Sequence, residues 1–149
     1  MTARPDSDIA PPIRSLLDLH THSSASFDSE LLPEDLVAAV LAAGLTHVAV
    51  TDHDRIDGAL RARDVAPDGL TVIVGEEMRT ISGDVIGLFL ERPIASGMTV
   101  AETAAAIMEQ RGIVGLPHPF DGRRPSTAVG LTPEALMELS ATIDFRGGP

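Results

Sequence analysis

The chain has 149 residues, 44% of them hydrophobic, and a formal net charge of −11. This length and composition predict one domain with its own core, and the acidic charge argues against a broad surface for nucleic acid or anionic lipid. The absence of cysteine excludes disulfides and thiolate metal sites, and the absence of lysine excludes a Schiff base and a Walker-type phosphate loop.

The first residues, 1–12, combine proline with small and acidic residues, which predicts a disordered lead-in. The rest of the chain, 13–149, is assigned to a single domain. No segment reaches the apolar length of a membrane helix, and the start lacks the apolar stretch of a signal peptide. We therefore expect a cytoplasmic protein without a membrane partner.

The motif Asp18-Leu19-His20-Thr21-His22 stands where the first apolar run ends. In an extended backbone, side chains two residues apart point the same way, so Asp18, His20 and His22 share one face. Two imidazoles and a carboxylate aimed at one point can hold a divalent metal ion. Paired histidines also occur on solvated surfaces, so the motif by itself leaves both interpretations open.

The next elements are a helix and a second strand. Residues 33–44 are predicted to be helical because Pro33 suits a first helical position, acidic residues follow it, and Gly44 ends an apolar stripe. The strand Val48-Ala49-Val50 then leads directly into a second polar cluster, Thr51-Asp52-His53-Asp54.

A weaker helix at 58–66 precedes the third strand, Val72-Ile73-Val74, which leads into Gly75-Glu76-Glu77. The segment after it turns at Ser82-Gly83 and predicts an antiparallel insertion or hairpin over 78–90. Strand alternation predicts that Glu76 points away from Glu77, towards solvent or a salt bridge.

The last clear helix begins at Thr99, which forms a capping box with Glu102, and ends near Gly112. A fourth apolar run, Ile113-Val114-Gly115-Leu116, leads into Pro117-His118-Pro119. A short helix at 133–139 and a strand at 141–145 are predicted after it.

The three runs that are apolar throughout, at 48–50, 72–74 and 113–116, are predicted to be parallel strands buried on both faces. In α/β folds, the C-terminal ends of parallel strands lie together and carry the chemistry. We therefore expect the four polar clusters to converge on one site. His47 is predicted to be structural, because it stands at the opposite end of its strand.

Together the four motifs resemble the polymerase and histidinol phosphatase (PHP) family of metal-dependent phosphoesterases. The motifs are Asp-Leu-His-Thr-His-Ser at 18–23, Thr-Asp-His-Asp at 51–54, Gly-Glu-Glu at 75–77 and Pro-His-Pro-Phe-Asp at 117–121. The resemblance implies an α/β fold, in which this chain forms part of a distorted seven-stranded β/α barrel. It also implies two or three divalent metal ions, namely zinc, manganese or iron.

The resemblance implies six metal ligands, in chain order His20, His22, Asp28, His53, Glu77 and His118. Of these, His20 and His22 would bind one metal, Glu77 would bridge two and His118 would bind the second, while His53 and Asp28 would hold a third.

Other polar side chains have expected supporting roles. Asp18 and Asp52, as neighbours of ligating histidines, are expected to orient those imidazoles, and Asp52 could also act in catalysis by shuttling protons. Arg123 and Arg124 are candidate substrate-binding residues, because a guanidinium group can bind phosphate through two hydrogen bonds.

Two departures from the family pattern stand out. A histidine that many members carry in the hairpin after the glutamate is replaced here by Ile86, as we match the segments. The family's late Gly-Ser-Asp-x-His motif does not occur before Pro149. We therefore interpret the chain as the N-terminal portion of a PHP domain, with possible self-association through open sheet edges.

The resemblance implies hydrolysis of a small phosphorylated metabolite or nucleotide through a metal-activated water. One alternative is a catalytically impaired fragment that binds metal or serves as an interaction module. A second alternative, an amidohydrolase that cuts carbon–nitrogen bonds, is weakened because the chain lacks the lysine that is carbamylated in many such barrels.

Overall fold

The structure is a computed structural model and describes residues 14–119, 121 and 123. Its elements, in chain order, are β1 (Leu17–Thr21), α1 (Pro33–Ala42), β2 (His47–Val50), α2 (Asp57–Val65), β3 (Thr71–Thr80), β4 (Gly83–Leu88), α3 (Val100–Glu109) and β5 (Ile113–Gly115). Within this part of the chain, no helix is both long and apolar enough to cross a lipid bilayer.

The strands form one sheet in the order β1-β2-β3-β4-β5. β1, β2 and β3 are parallel, whereas β4 is antiparallel to both of its neighbours, β3 and β5. β5 therefore runs in the same direction as the first three strands, as predicted. β5 pairs with β4, the second strand of the predicted hairpin, and not with a parallel strand. The hairpin therefore supplies an inner strand of the sheet.

The larger apolar core lies between one face of the sheet and all three helices. It joins Val40 of α1, Ala62 of α2, Val74 of β3, Val85 of β4 and Ile107 of α3 in one buried cluster. The helices pack on this face because their apolar stripes need a partner surface.

A second, smaller cluster occupies the opposite face of the sheet and consists of Ala49, Ile73, Ile86 and Leu88. Helices on one side and a small apolar interior on the other give the layout of a partial β/α barrel. The predicted fold class is thus confirmed.

Local signals account for both ends of α1 and for the start of α3. Pro33 occupies the start of α1, and Gly44 follows the helix with a φ of 74°, a conformation that glycine adopts at little cost. At α3, the Thr99 hydroxyl accepts a hydrogen bond from the Glu102 backbone amide, and the Glu102 carboxylate accepts one from the Thr99 amide. The predicted capping box is present.

The last strand differs from its prediction. β5 is predicted to be buried on both faces, but Ile113 is exposed and the other two residues of the strand are half-buried. The reason is its position, because β5 is an edge strand that pairs only with β4 among the described residues. β1 lies at the opposite edge, where Leu17 and Leu19 are exposed. The predicted lead-in at 1–12, the helix at 133–139, the strand at 141–145 and Arg124 lie outside the described residues.

Candidate metal centre

Two histidines of the first motif meet a glutamate of β3. His20 Nε2 lies 2.9 Å from Glu77 Oε2, and His22 Nε2 lies 3.1 Å from the same oxygen. The two ring nitrogens are 3.0 Å apart. The strand register shifts between Asp18 and Thr21, yet both imidazoles still reach one point, as the alternation predicted.

Glu77 is buried, and its histidine neighbours keep it ionised. Burial alone would raise the pKa of this carboxyl group, but hydrogen bonds with His20 and His22 lower the pKa to about 2. An anionic carboxylate therefore faces two imidazoles at any working pH.

A second group of donors contains His22, Asp28 and His53. Asp28 lies 3.3 Å from His22 Nδ1 through one oxygen and 3.6 Å from His53 Nε2 through the other. The Ser26 hydroxyl donates to Asp28 and accepts from the backbone amide of His53, so it holds the group together. Burial acts against ionisation of Asp28, but the hydrogen bond from Ser26 and the charge of His22 lower its pKa.

A third group adds Asp84 of β4 to His53 and Glu77, with one donor atom of each within 4.8 Å of the others. Sequence reasoning missed Asp84 and matched Ile86 to the family's hairpin ligand. In the structure, Ile86 belongs to the small apolar cluster. Asp84 pairs with Arg79 in the ladder, on the face of β3 that carries Glu77.

The donor set fits a divalent ion. His20 Nε2 and His22 Nε2 both approach the same carboxylate oxygen and lie within hydrogen-bond distance of each other, so their lone pairs and protons cannot all be satisfied by one another. His53 Nδ1 is buried and has no hydrogen-bond partner among the described residues. Imidazole and carboxylate groups are the ligands that zinc, manganese and iron accept in proteins.

Asp52 is placed differently from the histidines. Its carboxylate accepts hydrogen bonds from the Ser23 amide at 2.6 Å and the Ser23 hydroxyl at 2.7 Å, and the side chain is fully buried. Burial raises its pKa. Among the described residues, no hydrogen bond joins Asp52 to an imidazole, and its bonds with Ser23 position the loop after β1. A role of Asp52 in proton transfer stays a prediction.

Asp18 also differs from its expected role, because its carboxylate accepts from the backbone amide of His20 at 3.2 Å and not from an imidazole. Glu76 points away from Glu77, as predicted, but does not reach solvent. It is fully buried, and one of its oxygens accepts a hydrogen bond from the Ile94 amide at 2.9 Å. The prediction that Glu76 faces solvent or a salt bridge was therefore wrong, because the segment after β4 covers that face and no ion pair joins Glu76 to another described residue.

His118, His47 and Arg123 complete the predicted set. The ring of His118 lies 5.2 Å from that of His20, but His118 is outside the three donor groups. The ring of His47 bonds the Thr46 hydroxyl at 2.8 Å, at the start of β2, away from the donors. The Arg123 amide donates to Asp121, and the residue is exposed.

Comparison with known proteins identifies the family. The model of the PHP domain matches residues 18–117. An uncharacterized protein of Methanocaldococcus jannaschii is 33% identical over 114 residues, which are 69% of this chain and 67% of that protein. The chain belongs to the PHP domain family.

Two further comparisons place this PHP domain among larger proteins. A 5'-3' exoribonuclease of Haemophilus influenzae is 30% identical over 120 residues, which are 72% of this chain but 43% of that enzyme. A solved two-domain protein from Bacteroides vulgatus, containing a predicted PHP-like metal-dependent phosphoesterase, aligns with a TM-score of 0.69 at 20% identity. That alignment covers 88% of this chain and 45% of that one. The chain thus spans less than half the length of both proteins, and the structural match supports the fold.

Proposed function

We propose that this PHP domain is a metal-dependent phosphoesterase that hydrolyses a small phosphorylated metabolite or nucleotide. The observation that carries the proposal is the convergence of the three donor groups, because any two of them have one residue in common, namely His22, His53 or Glu77. The relatives described above support it, since one contains a predicted PHP-like metal-dependent phosphoesterase and another is an exoribonuclease.

The donor groups indicate which side chains would hold the ions. One ion would be held by His20, His22 and Glu77, and neighbouring positions would use His53 with Asp28 or with Asp84. Bound divalent ions lower the pKa of water to near neutrality and offset the negative charge that develops on phosphoryl oxygens.

The side chains of the chain prepare this site in two ways. Glu77 and Asp28 both have lowered pKa values, so they are anionic and need no proton release to act as ligands. The pKa of His22 is raised, because its hydrogen bond with Glu77 and the charge of Asp28 outweigh the opposing effect of burial. A proton must therefore leave His22 before its nitrogen can bind a metal, so metal affinity should fall as the pH falls.

The charge of the chain bears on substrate size. A net charge of −11 disfavours a long polyanion across the surface, whereas a small phosphoester needs favourable charge only at the metal centre. This supports a metabolite or nucleotide as the substrate class.

The test is phosphate release from a panel of phosphomonoesters and phosphodiesters, with zinc, manganese or iron added, alongside elemental analysis. We expect metal-dependent hydrolysis that a His20→Ala, His22→Ala double variant and an Asp84→Ala variant each lower, the double variant by at least about a hundredfold. His47→Ala is the matched control, since that ring bonds Thr46 outside the centre, and should keep the native rate.

A metal-binding module without catalysis is the second candidate, and the exposed leucines of edge strand β1 favour it because they offer an apolar contact surface. The native protein could carry its full metal content and still hydrolyse no member of the panel. That result would contradict the phosphoesterase function and support the metal-binding module.

A further inference from the structure

We propose that Phe27 and Arg79 form a recognition platform for a nucleotide at the rim of the metal centre, in which the Phe27 ring stacks on the base and the Arg79 guanidinium binds the phosphate. The inference rests on the proposed phosphoesterase function and narrows its substrate to a base joined through a sugar to a phosphate. The two residues belong to no donor group and are called the base platform below.

Phe27 presents an aromatic surface to solvent beside a candidate metal ligand. The residue is 77% exposed, although the chain contains only four phenylalanines and no tryptophan or tyrosine. Its ring stacks on that of His53, with centroids 4.8 Å apart and an interplanar angle of 23°. The contact with His53 orients the ring, while most of its surface stays free to accept another planar group.

Arg79 adds a positive charge at the same rim. It follows Glu77 by two residues in β3 and therefore lies on the same face of the strand. Its Nε donates to Asp54 Oδ2 at 2.5 Å, and its backbone amide donates to Asp54 Oδ1 at 3.0 Å. The guanidinium carbon lies 5.9 Å from the centre of the Phe27 ring.

Asp54 fixes Arg79 relative to the metal centre. Its own amide donates to the Glu77 carbonyl at 3.1 Å, and its φ of 55° turns the backbone so that the carboxylate reaches Arg79. The side chain of Arg79 is nevertheless 61% exposed. The bonds to Asp54 use the backbone amide and Nε, and the terminal nitrogens have no hydrogen-bond partner among the described residues, so they can bind phosphate.

The exposed aromatic ring and the guanidinium beside the metal centre together favour a nucleotide over a simple sugar phosphate as the ligand. A metal centre and a guanidinium suffice to hold a phosphate, so a solvent-facing ring adds affinity only when the substrate also carries a planar group. Such a group occurs in a free mononucleotide and at the end of a nucleic-acid strand. The net charge of −11 favours the mononucleotide.

Binding of a fluorescent nucleotide measures stacking directly. The probe is 2-aminopurine riboside 5'-monophosphate, whose emission is quenched on stacking, and a chain without tryptophan or tyrosine adds no such emission of its own. We expect quenching by the native protein, and roughly 5- to 100-fold weaker binding to Phe27→Leu, whereas Phe27→Tyr should bind as the native protein does.

Phe89→Leu is the matched control. Phe89 is also an exposed phenylalanine, but it follows the end of β4 that lies far from Asp84. The unphosphorylated 2-aminopurine riboside tests Arg79, because Arg79→Gln should weaken binding of the nucleotide and leave binding of the nucleoside unchanged. An oligonucleotide with 2-aminopurine at its 5' end tests whether the base belongs to the end of a nucleic-acid strand. Tighter binding of this probe than of the mononucleotide would overturn the choice of a mononucleotide.

Hydrolysis separates this inference from the proposed function. Phe27→Leu should lower the ratio of kcat/KM for a nucleoside monophosphate to kcat/KM for ribose 5-phosphate by roughly 5- to 100-fold. An unchanged ratio together with undiminished quenching would overturn the base platform while leaving a phosphoesterase. Quenching that depends on Phe27, without hydrolysis of either compound, would support the platform and contradict the phosphoesterase.

Discussion

At the scale of residues, Glu76 and Glu77 show how strand alternation gives two identical side chains opposite properties. Glu77 faces the histidines, which lower its pKa to about 2 against the effect of burial. Glu76 faces the packed side of the sheet, where burial raises its pKa to about 7. One oxygen of Glu76 accepts from the Ile94 amide, and the other has no hydrogen-bond partner among the described residues. Ionised Glu76 is therefore unfavourable in the folded chain.

This difference predicts how the stability of the metal-free protein changes with pH. The folded-state pKa of Glu76 lies above the ordinary value of 4.5, so the unfolded chain releases the proton first as the pH rises. Glu76 then costs stability progressively between pH 4.5 and about pH 7, by about 3 kcal/mol in total. Glu76→Gln should remove that loss. The free energy of unfolding of this variant should therefore rise relative to that of the native protein as the pH increases across this interval.

The measurement is chemical denaturation at several pH values between 4 and 8 with a chelator present. Glu91→Gln, which alters an exposed glutamate, is the control and should follow the native curve. A constant difference between Glu76→Gln and the native protein at every pH would contradict a buried, protonated Glu76.

At the scale of elements, a polar contact joins the loop after β1 to the loop after β2, and the start of α2 packs closely against it. Asp52 accepts both hydrogen bonds from Ser23, the residue after His22. Gly58 lies beside this pair, and a methyl group added to it would stand 2.1 Å from Asp52 Oδ2 and 2.3 Å from Ser23 Oγ. The helix can approach because residue 58 has no side chain.

Gly58→Ala should therefore lower both stability and metal affinity. We expect a loss of about 2–3 kcal/mol in the free energy of unfolding, because the methyl group displaces the buried Ser23–Asp52 pair. His22 would move with its neighbour, so metal binding measured by calorimetry should weaken. Gly115→Ala is the control, since its added methyl group would meet Ile86 at an ordinary 3.5 Å. Equal denaturation midpoints for the two variants would contradict this prediction, because they would show that the residues around Gly58 accommodate a methyl group at little cost in stability.

At the scale of the whole molecule, the sheet has an apolar edge. Leu17 is 50% exposed and Leu19 is 44% exposed on β1, whose outer side has no strand partner among the described residues. Unpaired edge groups with apolar side chains are a template for pairing with another chain.

We therefore predict that the chain self-associates in a concentration-dependent way. Leu17→Lys should shift the population towards monomer, because a charged side chain opposes pairing at a sheet edge. Leu41→Lys is the control, because Leu41 is 42% exposed but lies on α1. Sedimentation velocity at several concentrations measures the distribution. A native protein that stays monomeric throughout, or an equal shift in both variants, would refute association through β1.

Much of the fold could be predicted because the signals are local. The capping box of Thr99 and Glu102, Pro33 at the start of α1, and the apolar runs of β2 and β3 are contained within a few consecutive residues. The grouping of His20, His22, His53 and Glu77 was also predictable, because alternation and strand direction place strand ends together.

What only the tertiary structure decided depends on contacts between distant parts of the chain. The ladder between β3 and β4 pairs Ile86 with Glu77 and Asp84 with Arg79, yet a carboxylate oxygen of Asp84 lies within 4.8 Å of the donor atoms of Glu77 and His53. This register is set by packing across strands. The fold also buries Glu76 and stacks Phe27 on His53, neither of which has a signal in neighbouring residues. The sequence by itself determined the elements and the chemistry of the donors. Packing between elements decided which additional side chains reach them, because burial and stacking depend on neighbours that are remote along the chain.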